Sequence, residues 1–309
     1  MRLAKRPSWA LPFIFPALLA ALFLWPCERA DSAGLSDIVG GVGGSVLPGP
    51  AGSALKAAVE VGKSFQDITP EQEYYIGRAV AASVLSVYAP FPNDGLNFYL
   101  NTLGQTLAQA SDRPETFGGY HFLVLDSPEI NAFAAPGGLI LITRGMIRVC
   151  KTEDALAAVL AHEISHVVEK HGLKSIKSSR LTSAFKIMAN ETARSYGPAQ
   201  LSQLTEAFGE SITDITATLM KSGYSRELER DADKGAVTIL KRVGYDPGAL
   251  IVMLTEMKKQ LKPGGLDFAK THPDPKDRIE DVKTLAGGVA ATPVSAERQK
   301  RFEKAMTNI

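Results

Sequence analysis

Residues 162–166 read His-Glu-Ile-Ser-His and lie within a segment that predicts one continuous helix from about Thr152. Histidines four positions apart project from the same face of a helix, so both imidazoles can reach one metal ion. The glutamate between them lies next to that metal, where it can take a proton from a bound water. The motif therefore predicts two metal ligands, His162 and His166, and a general base, Glu163.

The apolar residues around this motif indicate which side of the helix is buried. At about 100° per residue they share one broad face, and the two histidines lie at its edge. These residues are Leu156, Val159, Leu160, Ile164, Val167 and Val168. The pattern predicts a core helix with a polar notch that has room for a metal and a substrate. A pair of surface histidines on an amphipathic helix is the alternative.

A later segment, residues 225–233, offers a third ligand. A catalytic zinc ion takes three protein ligands and keeps one position open. Helical periodicity separates the two candidates, because Glu229 falls on the apolar face and Glu227 points away from it. That face is defined by Leu228, Ala232, Ala236, Ile239, Leu240 and Val243. A glutamate on an apolar face needs a neutralising partner. We therefore predict Glu229 as the third ligand of one Zn²⁺ per chain, with a salt bridge to a core arginine as the alternative.

Three further residues are interpreted from their position relative to these ligands. Asp233 lies one helical turn after Glu229, at the rim of the same face. There it can accept a hydrogen bond from a ligand histidine and fix the tautomer of that histidine. His171, at the end of the motif helix, and His121, in a predicted strand, belong to no motif. We interpret both as structural.

Helical patterns on both sides of a short β-rich region indicate the fold class. Thr69 as N-cap and Pro70 at the first helical position mark the start of the first helix. The predicted helices cover about 70–89, 95–110 and most of the chain from 152 onwards. The predicted strands are 120–125, 131–134 and 139–143, which form one small sheet. The sequence therefore predicts a mainly helical α+β protein.

The amino-terminal residues predict export from the cytoplasm. Three basic residues in 1–6 precede an apolar run from 9 to 25, which is the pattern of a signal peptide or signal-anchor over 1–32. Cleavage after Ser32 competes with lipidation at Cys27. Membrane association is expected only through this segment, if it is retained or lipidated. We expect a periplasmic or cell-envelope protein.

Composition and cysteine content restrict the partners and the crosslinks. The net charge of +1 gives no electrostatic argument for binding nucleic acid. The two cysteines are Cys27 and Cys150. Because Cys27 is cleaved off, lipidated or distant in sequence, we expect no structural disulfide even in an oxidising compartment.

The two metal-site segments together are similar to those of a known family. His-Glu-x-x-His at 162–166, followed by Ser-Arg-x-x-Glu-x-x-Ala-Asp at 225–233, resembles the gluzincin metallopeptidases of the HtpX and BepA type, relatives of the CAAX prenyl proteases. Further matching stretches are 73–78, 131–138, 143–145 and 271–273, and the resemblance spans about 65–285. It implies zinc, proteolysis and a zincin-like single catalytic domain whose small sheet packs on the active-site helix.

This resemblance also implies where substrate binds. In the family, the segment after Asn131 forms a sheet edge near the zinc. An edge strand with free backbone groups can add an extended peptide as a further strand, and glycines allow close backbone approach. The predicted substrate-binding residues are Asn131, Ala132, Phe133, Gly137 and Gly138. An ordinary hairpin is the alternative.

The resemblance places the loop that carries His272 near the metal. His272 then has three readings: a fourth zinc ligand that keeps the enzyme latent, a group that stabilises the oxyanion, or a structural loop residue. Tyr224, just before the second motif, is a further candidate for assisting the polarised carbonyl.

The domain organisation follows from these assignments. A flexible Gly/Pro-rich tether at 33–64 leads to a zinc metallopeptidase domain at 65–286. Residues 287–309 are predicted as a linker and a short last helix. The weakly patterned stretch 173–222 is predicted as a mobile flap near the site.

We predict a zinc endopeptidase of the bacterial cell envelope that cleaves misfolded or unassembled proteins. The alternative is a chaperone-like module that binds non-native envelope proteins by strand addition, with a mainly structural zinc. A hydrolase acting on a small amide is a third and weaker reading. The chaperone-like alternative gives Glu163 no role. For the small-amide hydrolase, the sequence offers no identifiable specificity pocket.

Overall fold

A small sheet and the helices packed on it form the part of the chain that the computed structural model describes, residues 68–176, 209–260, 272, 275–287, 295–307 and 309. The helices are α1 Pro70–Leu85, α2 Asp94–Gln109, α3 Arg144–Val149, α4 Glu153–Val168, α5 His171–Lys174, α6 Arg226–Val243, α7 Ala249–Gln260, α8 Pro275–Ala286 and α9 Ala296–Ala305. The strands are β1 His121–Leu125, β2 Ala132–Ala135 and β3 Leu139–Thr143. Residues 209–217 are also helical and end in a π-helical turn, Thr218–Ser222.

Several predicted segments lie outside the described residues. They are the signal, the tether and the central part of the predicted flap, 177–208. The domain boundaries stay predictions. The described residues all belong to one compact unit.

The three predicted strands form one sheet in the order β1-β3-β2. β1 pairs with β3 in parallel, from His121 opposite Leu139 to Leu125 opposite Thr143. β2 pairs with β3 antiparallel through a tight turn at Pro136–Gly138, in which Gly137 has a φ of 76°. A positive φ strongly favours glycine. Because β2 comes last in the strand order, it is an edge strand within the described chain, as predicted.

Side-chain caps set the starts of the helices that matter for the site. Thr69 and Gln72 form a capping box at the start of α1, which confirms the predicted start. Thr152 caps α4 and Ser225 caps α6. In each case the side-chain hydroxyl accepts a hydrogen bond from the backbone N–H of the third residue of the helix. α6 ends at Val243 and is capped by Gly244, whose φ of 79° is left-handed.

The helix α4 runs through the interior of the protein. Every residue from Glu153 to Val167 is buried, and α4 packs against α6, α7, α2 and β2. A helix that is buried on all sides has no solvent-facing stripe. The reading of its histidines as surface residues is therefore wrong. The mainly helical α+β fold with a small sheet on this helix is confirmed.

Two apolar clusters lie on opposite faces of the sheet. The larger surrounds α4 and includes Val124, Ile142, Leu160 and Leu240. The smaller joins α1, the outer face of β2 and the 209–222 segment. Its members include Val80, Phe133, Ile215 and Leu219. The residues of the predicted metal site are buried as well.

Candidate metal site

Three parts of the fold bring the predicted site residues together. α4 carries His162, Glu163 and His166, and α6 carries Glu229 and Asp233. His272 lies shortly before α8. All six side chains belong to residues that are at most 4% exposed.

The potential ligand atoms converge on one point. One ligand atom from each of His162, His166, Glu229 and His272 lies within 4.8 Å of the others. The Nε2 atoms of His162 and His166 are 3.0 Å apart, and they lie 3.4 and 3.5 Å from the carboxylate oxygens of Glu229. Glu227 is exposed, so the helical phase that separated the two glutamates is correct. Ligation itself stays a prediction.

Each histidine of the motif uses its other ring nitrogen for an outer contact. His162 Nδ1 lies 3.0 Å from Asp233 Oδ1, the arrangement predicted for Asp233. His166 Nδ1 lies 2.9 Å from His171 Nδ1. Outer partners of this kind fix which nitrogen carries the proton. With a single proton on each Nδ1, the Nε2 lone pairs of both histidines would face the centre of the cluster.

This donor set fits a divalent cation. Two imidazole lone pairs and a carboxylate that face one another at this distance repel unless a positive charge lies among them. A proton on His162 is one such charge. Burial and the Arg278 guanidinium lower the pKa of His162, but hydrogen bonds to Asp233 and Glu229 outweigh them and raise it to about 9. Imidazole nitrogen and carboxylate oxygen are ligands that zinc binds in proteins.

The imidazole of His166 is neutral and can offer a lone pair to a metal. Burial, and then the charge on His162, lower the pKa of His166 well below its usual value. Only a neutral imidazole has a lone pair to offer a metal. The pKa of His171 is lowered to about 3 by burial and by Lys174, so this contact is also neutral.

Glu163 lies beside the ligands without being tied to them. It is 1% exposed, and within the described residues its Oε1 atom has no hydrogen-bond partner. Burial raises the pKa of its carboxyl, although the charges of His272 and His162 oppose the shift. A buried carboxylate whose pKa is raised, and whose oxygen accepts no hydrogen bond from the described residues, is suited to accept a proton.

Arg278 is a site residue that sequence reasoning missed. Its guanidinium contacts Asp233 through Nε at 2.9 Å and through a terminal nitrogen at 2.6 Å. It also lies 3.1 Å from Glu229 Oε2. The salt bridge of Glu229 to a core arginine, given above as the alternative to metal ligation, is therefore present in addition to the converging ligand atoms. The signal was available, since Arg278, Val282 and Ala286 are spaced by four residues along one buried face of α8.

This arginine keeps the acidic residues charged. Although burial raises the pKa of Glu229, His272 and Arg278 lower it well below its usual value. Arg278 and His162 have the same effect on the pKa of Asp233, again against burial. Both carboxylates are therefore negative and able to accept bonds from imidazole N–H groups or to bind a cation.

The two less defined candidates also lie in the cluster. His272 Nδ1 is 2.7 Å from Glu229 Oε1, within the set of converging ligand atoms. The ring of Tyr224 stacks on His166 at 4.4 Å between centroids. Its hydroxyl is buried and has no hydrogen-bond partner among the described residues. Both residues are thus within reach of the site, and their roles stay predictions.

The predicted substrate-binding residues are all buried. Ala132 to Ala135 are 1–3% exposed, and Phe133 and Ala135 share the smaller apolar cluster with Ile215 of the 209–222 segment. Asn131 donates its backbone N–H to Thr143 Oγ1 at 3.0 Å. An extended peptide can pair with this strand only when the residues that cover it move aside.

The two histidines that were interpreted as structural differ in position. His121 is exposed, and its Nε2 lies 2.8 Å from the carbonyl of Gly118. His171 is fully buried and contacts His166. No sequence motif indicates this contact, because it depends on how the chain turns after α4.

Comparisons with known proteins agree with this geometry. Residues 96–286 match peptidase family M48. The chain is 26% identical to the Beta-barrel assembly-enhancing protease of Escherichia coli K12 over 83% of this chain and 50% of that protein. The Yersinia pestis protein of the same name is 29% identical over 75% and 46%. The mitochondrial metalloendopeptidase OMA1 of Schizosaccharomyces pombe is 33% identical over 52% and 44%.

The chain thus spans about half the length of the curated relatives it matches. Among the described residues, no helix combines the length and apolarity that crossing a membrane requires.

Proposed function

This chain belongs to peptidase family M48, and we propose that it is a zinc-dependent endopeptidase of the bacterial cell envelope. The observation that carries the proposal is the buried cluster of His162, His166 and Glu229 together with Glu163, whose Oε1 atom has no hydrogen-bond partner among the described residues. Family membership confirms the predicted metallopeptidase class. The metal, the compartment and the substrates are what we propose here.

The residues of the site have separate roles in the proposed peptide hydrolysis. His162, His166 and Glu229 would hold a zinc ion, which polarises a peptide carbonyl and makes a water more acidic. Glu163 accepts the proton of the attacking water and then donates it to the departing amide nitrogen. Asp233 and Arg278 hold His162 and Glu229 in place through the contacts described above.

The proposed substrates are misfolded or unassembled envelope proteins. The Escherichia coli and Yersinia pestis relatives are named for enhancing β-barrel assembly, which supports substrates of this kind. Unfolded chains expose extended segments, and such segments can pair with a sheet edge such as β2. Pairing requires that the cover over Ala132 to Ala135 moves, so access to the edge is a further step in cleavage.

Replacing Glu163 by glutamine tests the proposed chemistry. Glu163→Gln keeps the shape of the side chain and removes the base, so we expect bound zinc to persist and casein cleavage to fall by about 10²-fold or more. Zinc is measured by elemental analysis and cleavage by the release of fluorescent peptides. Glu169→Gln is the matched control, because Glu169 is exposed just after α4 and should leave cleavage unchanged.

Two results would count against the proposal. Undiminished cleavage by Glu163→Gln removes Glu163 from the reaction. If neither the natural chain nor the variant cleaves any envelope protein, and both suppress its aggregation equally, the chaperone-like alternative with a structural zinc is the better description.

A further inference from the structure

The outer contact of His166 is made by a histidine that no motif includes. His171 Nδ1 lies 2.9 Å from His166 Nδ1, and the ring centroids are 4.9 Å apart. From this contact we propose that His171 is a positioning residue, which fixes the tautomer and the orientation of His166 for metal binding. The inference rests on the proposed zinc site.

The position of the proton follows from the geometry. To bind a metal through Nε2, His166 must carry its proton on Nδ1. That N–H then donates to the lone pair of His171 Nδ1. His171 must in turn carry its own proton on Nε2. This atom is buried and has no hydrogen-bond partner among the described residues, so no other described group competes for the ring.

A local turn brings His171 back onto the ligand. α4 ends at Val168, and Lys170 adopts a left-handed conformation with a φ of 54°. This conformation is uncommon for a residue other than glycine. It changes the direction of the chain between α4 and α5, and the ring of His171 at the start of α5 lies beside His166 in the last turn of α4. The neighbouring Gly172 packs on the ring of Pro136, which holds this turn against the sheet.

The two ligand histidines thus have partners of different charge. His162 faces the Asp233 carboxylate, which is paired with Arg278, whereas His166 faces a neutral ring. A neutral acceptor directs the proton of His166 without adding a further negative charge beside Glu163 and Glu229. Outer partners of metal ligands typically change metal affinity by about 10- to 100-fold when they are removed.

The test compares full-length variants by zinc affinity, measured against a chromophoric chelator. His171→Leu fills the space and removes the acceptor, so we expect it to weaken zinc binding about 10- to 100-fold. His171→Asn restores an acceptor oxygen, and we expect its affinity to stay within a few-fold of the natural chain. The visible spectrum of the cobalt(II) forms should change in His171→Leu and be preserved in His171→Asn. The exposed His121→Asn is the matched control.

Each outcome separates this inference from the proposed function. If the natural chain binds no zinc, the proposed function fails. If it binds zinc and a folded His171→Leu binds equally well, only the positioning role fails. If His171→Leu does not fold, His171→Asn decides, because a folded His171→Asn chain that loses zinc affinity more than tenfold overturns the role of the acceptor.

Discussion

Glu229 carries its charge at a buried position that four partners face. Its carboxylate lies near His162, His166 and His272 and 3.1 Å from Arg278. A buried charge is tolerated only when its surroundings compensate it. Three of these partners are histidines whose nitrogens converge with Glu229 on one point, so charge compensation and metal binding are coupled at this residue.

We therefore expect Glu229→Gln to weaken zinc binding by more than about 100-fold, because it removes a charged ligand rather than an outer partner. Glu227→Gln, two residues earlier and exposed, should bind zinc like the natural chain. Equilibrium dialysis with radioactive zinc measures both. Equal affinities of the two variants would show that Glu229 is not a ligand and that its role is the ion pair with Arg278.

Residues that share a helix could be predicted from the sequence, as could the contact of Asp233 with a motif histidine, but the contacts of His171 and Arg278 could not. His162, Glu163 and His166 share α4, and the phase of α6 selected Glu229. The partnership of His171 with His166 depends on a left-handed residue that no propensity predicts. Arg278 likewise follows Asp233 by 45 positions, and their contact exists only after α6 and α8 have packed.

The helix α1 holds the turn that follows the edge strand at two points. Glu73 accepts the backbone N–H of Gly137 at 3.2 Å, and both its oxygens are 2.8 Å from the Arg113 guanidinium. One turn later, Gly77 packs directly against the carbonyl group of Pro136. The helix, the strand and its glycines were predicted, but the contact between the helix and the turn was not, because it joins residues about 60 positions apart.

Gly77→Ala tests this contact. A Cβ atom at Gly77 would lie 1.8 Å from the Pro136 carbonyl oxygen, so α1 or the turn must move. We expect a loss of about 1–3 kcal/mol or more in the free energy of unfolding, measured with urea. Gly95→Ala is the control, because a Cβ atom at Gly95 would lie 3.6 Å from Asn93 Oδ1, an ordinary van der Waals distance. This variant should be as stable as the natural chain or more stable by up to about 1 kcal/mol. Similar effects of the two variants would mean that the turn adapts freely.

The last described helix, α9, is joined to the first turn of α4. The buried carboxylate of Glu153, at the start of α4, accepts bonds from Tyr99, Tyr245 and Arg301 of α9. α9 lies beyond the residues that match the family, yet its Phe302 belongs to the larger core cluster. The sequence predicted this helix as a short charged one after a linker. Its packing was not predictable, because arginines that bind a buried acid look like surface residues in the sequence.

Phe302→Ala measures how much this last helix stabilises the fold. Phe302 is 5% exposed, so its truncation should cost about 3 kcal/mol in the free energy of unfolding. Phe98→Ala removes a ring that is 76% exposed and should change stability by less than about 0.5 kcal/mol. Urea unfolding of the metal-free chains compares them without a contribution from bound zinc. If Phe302→Ala is as stable as Phe98→Ala, α9 rests on the surface, and the contacts of Glu153 with Tyr99 and Tyr245 suffice to hold the start of α4.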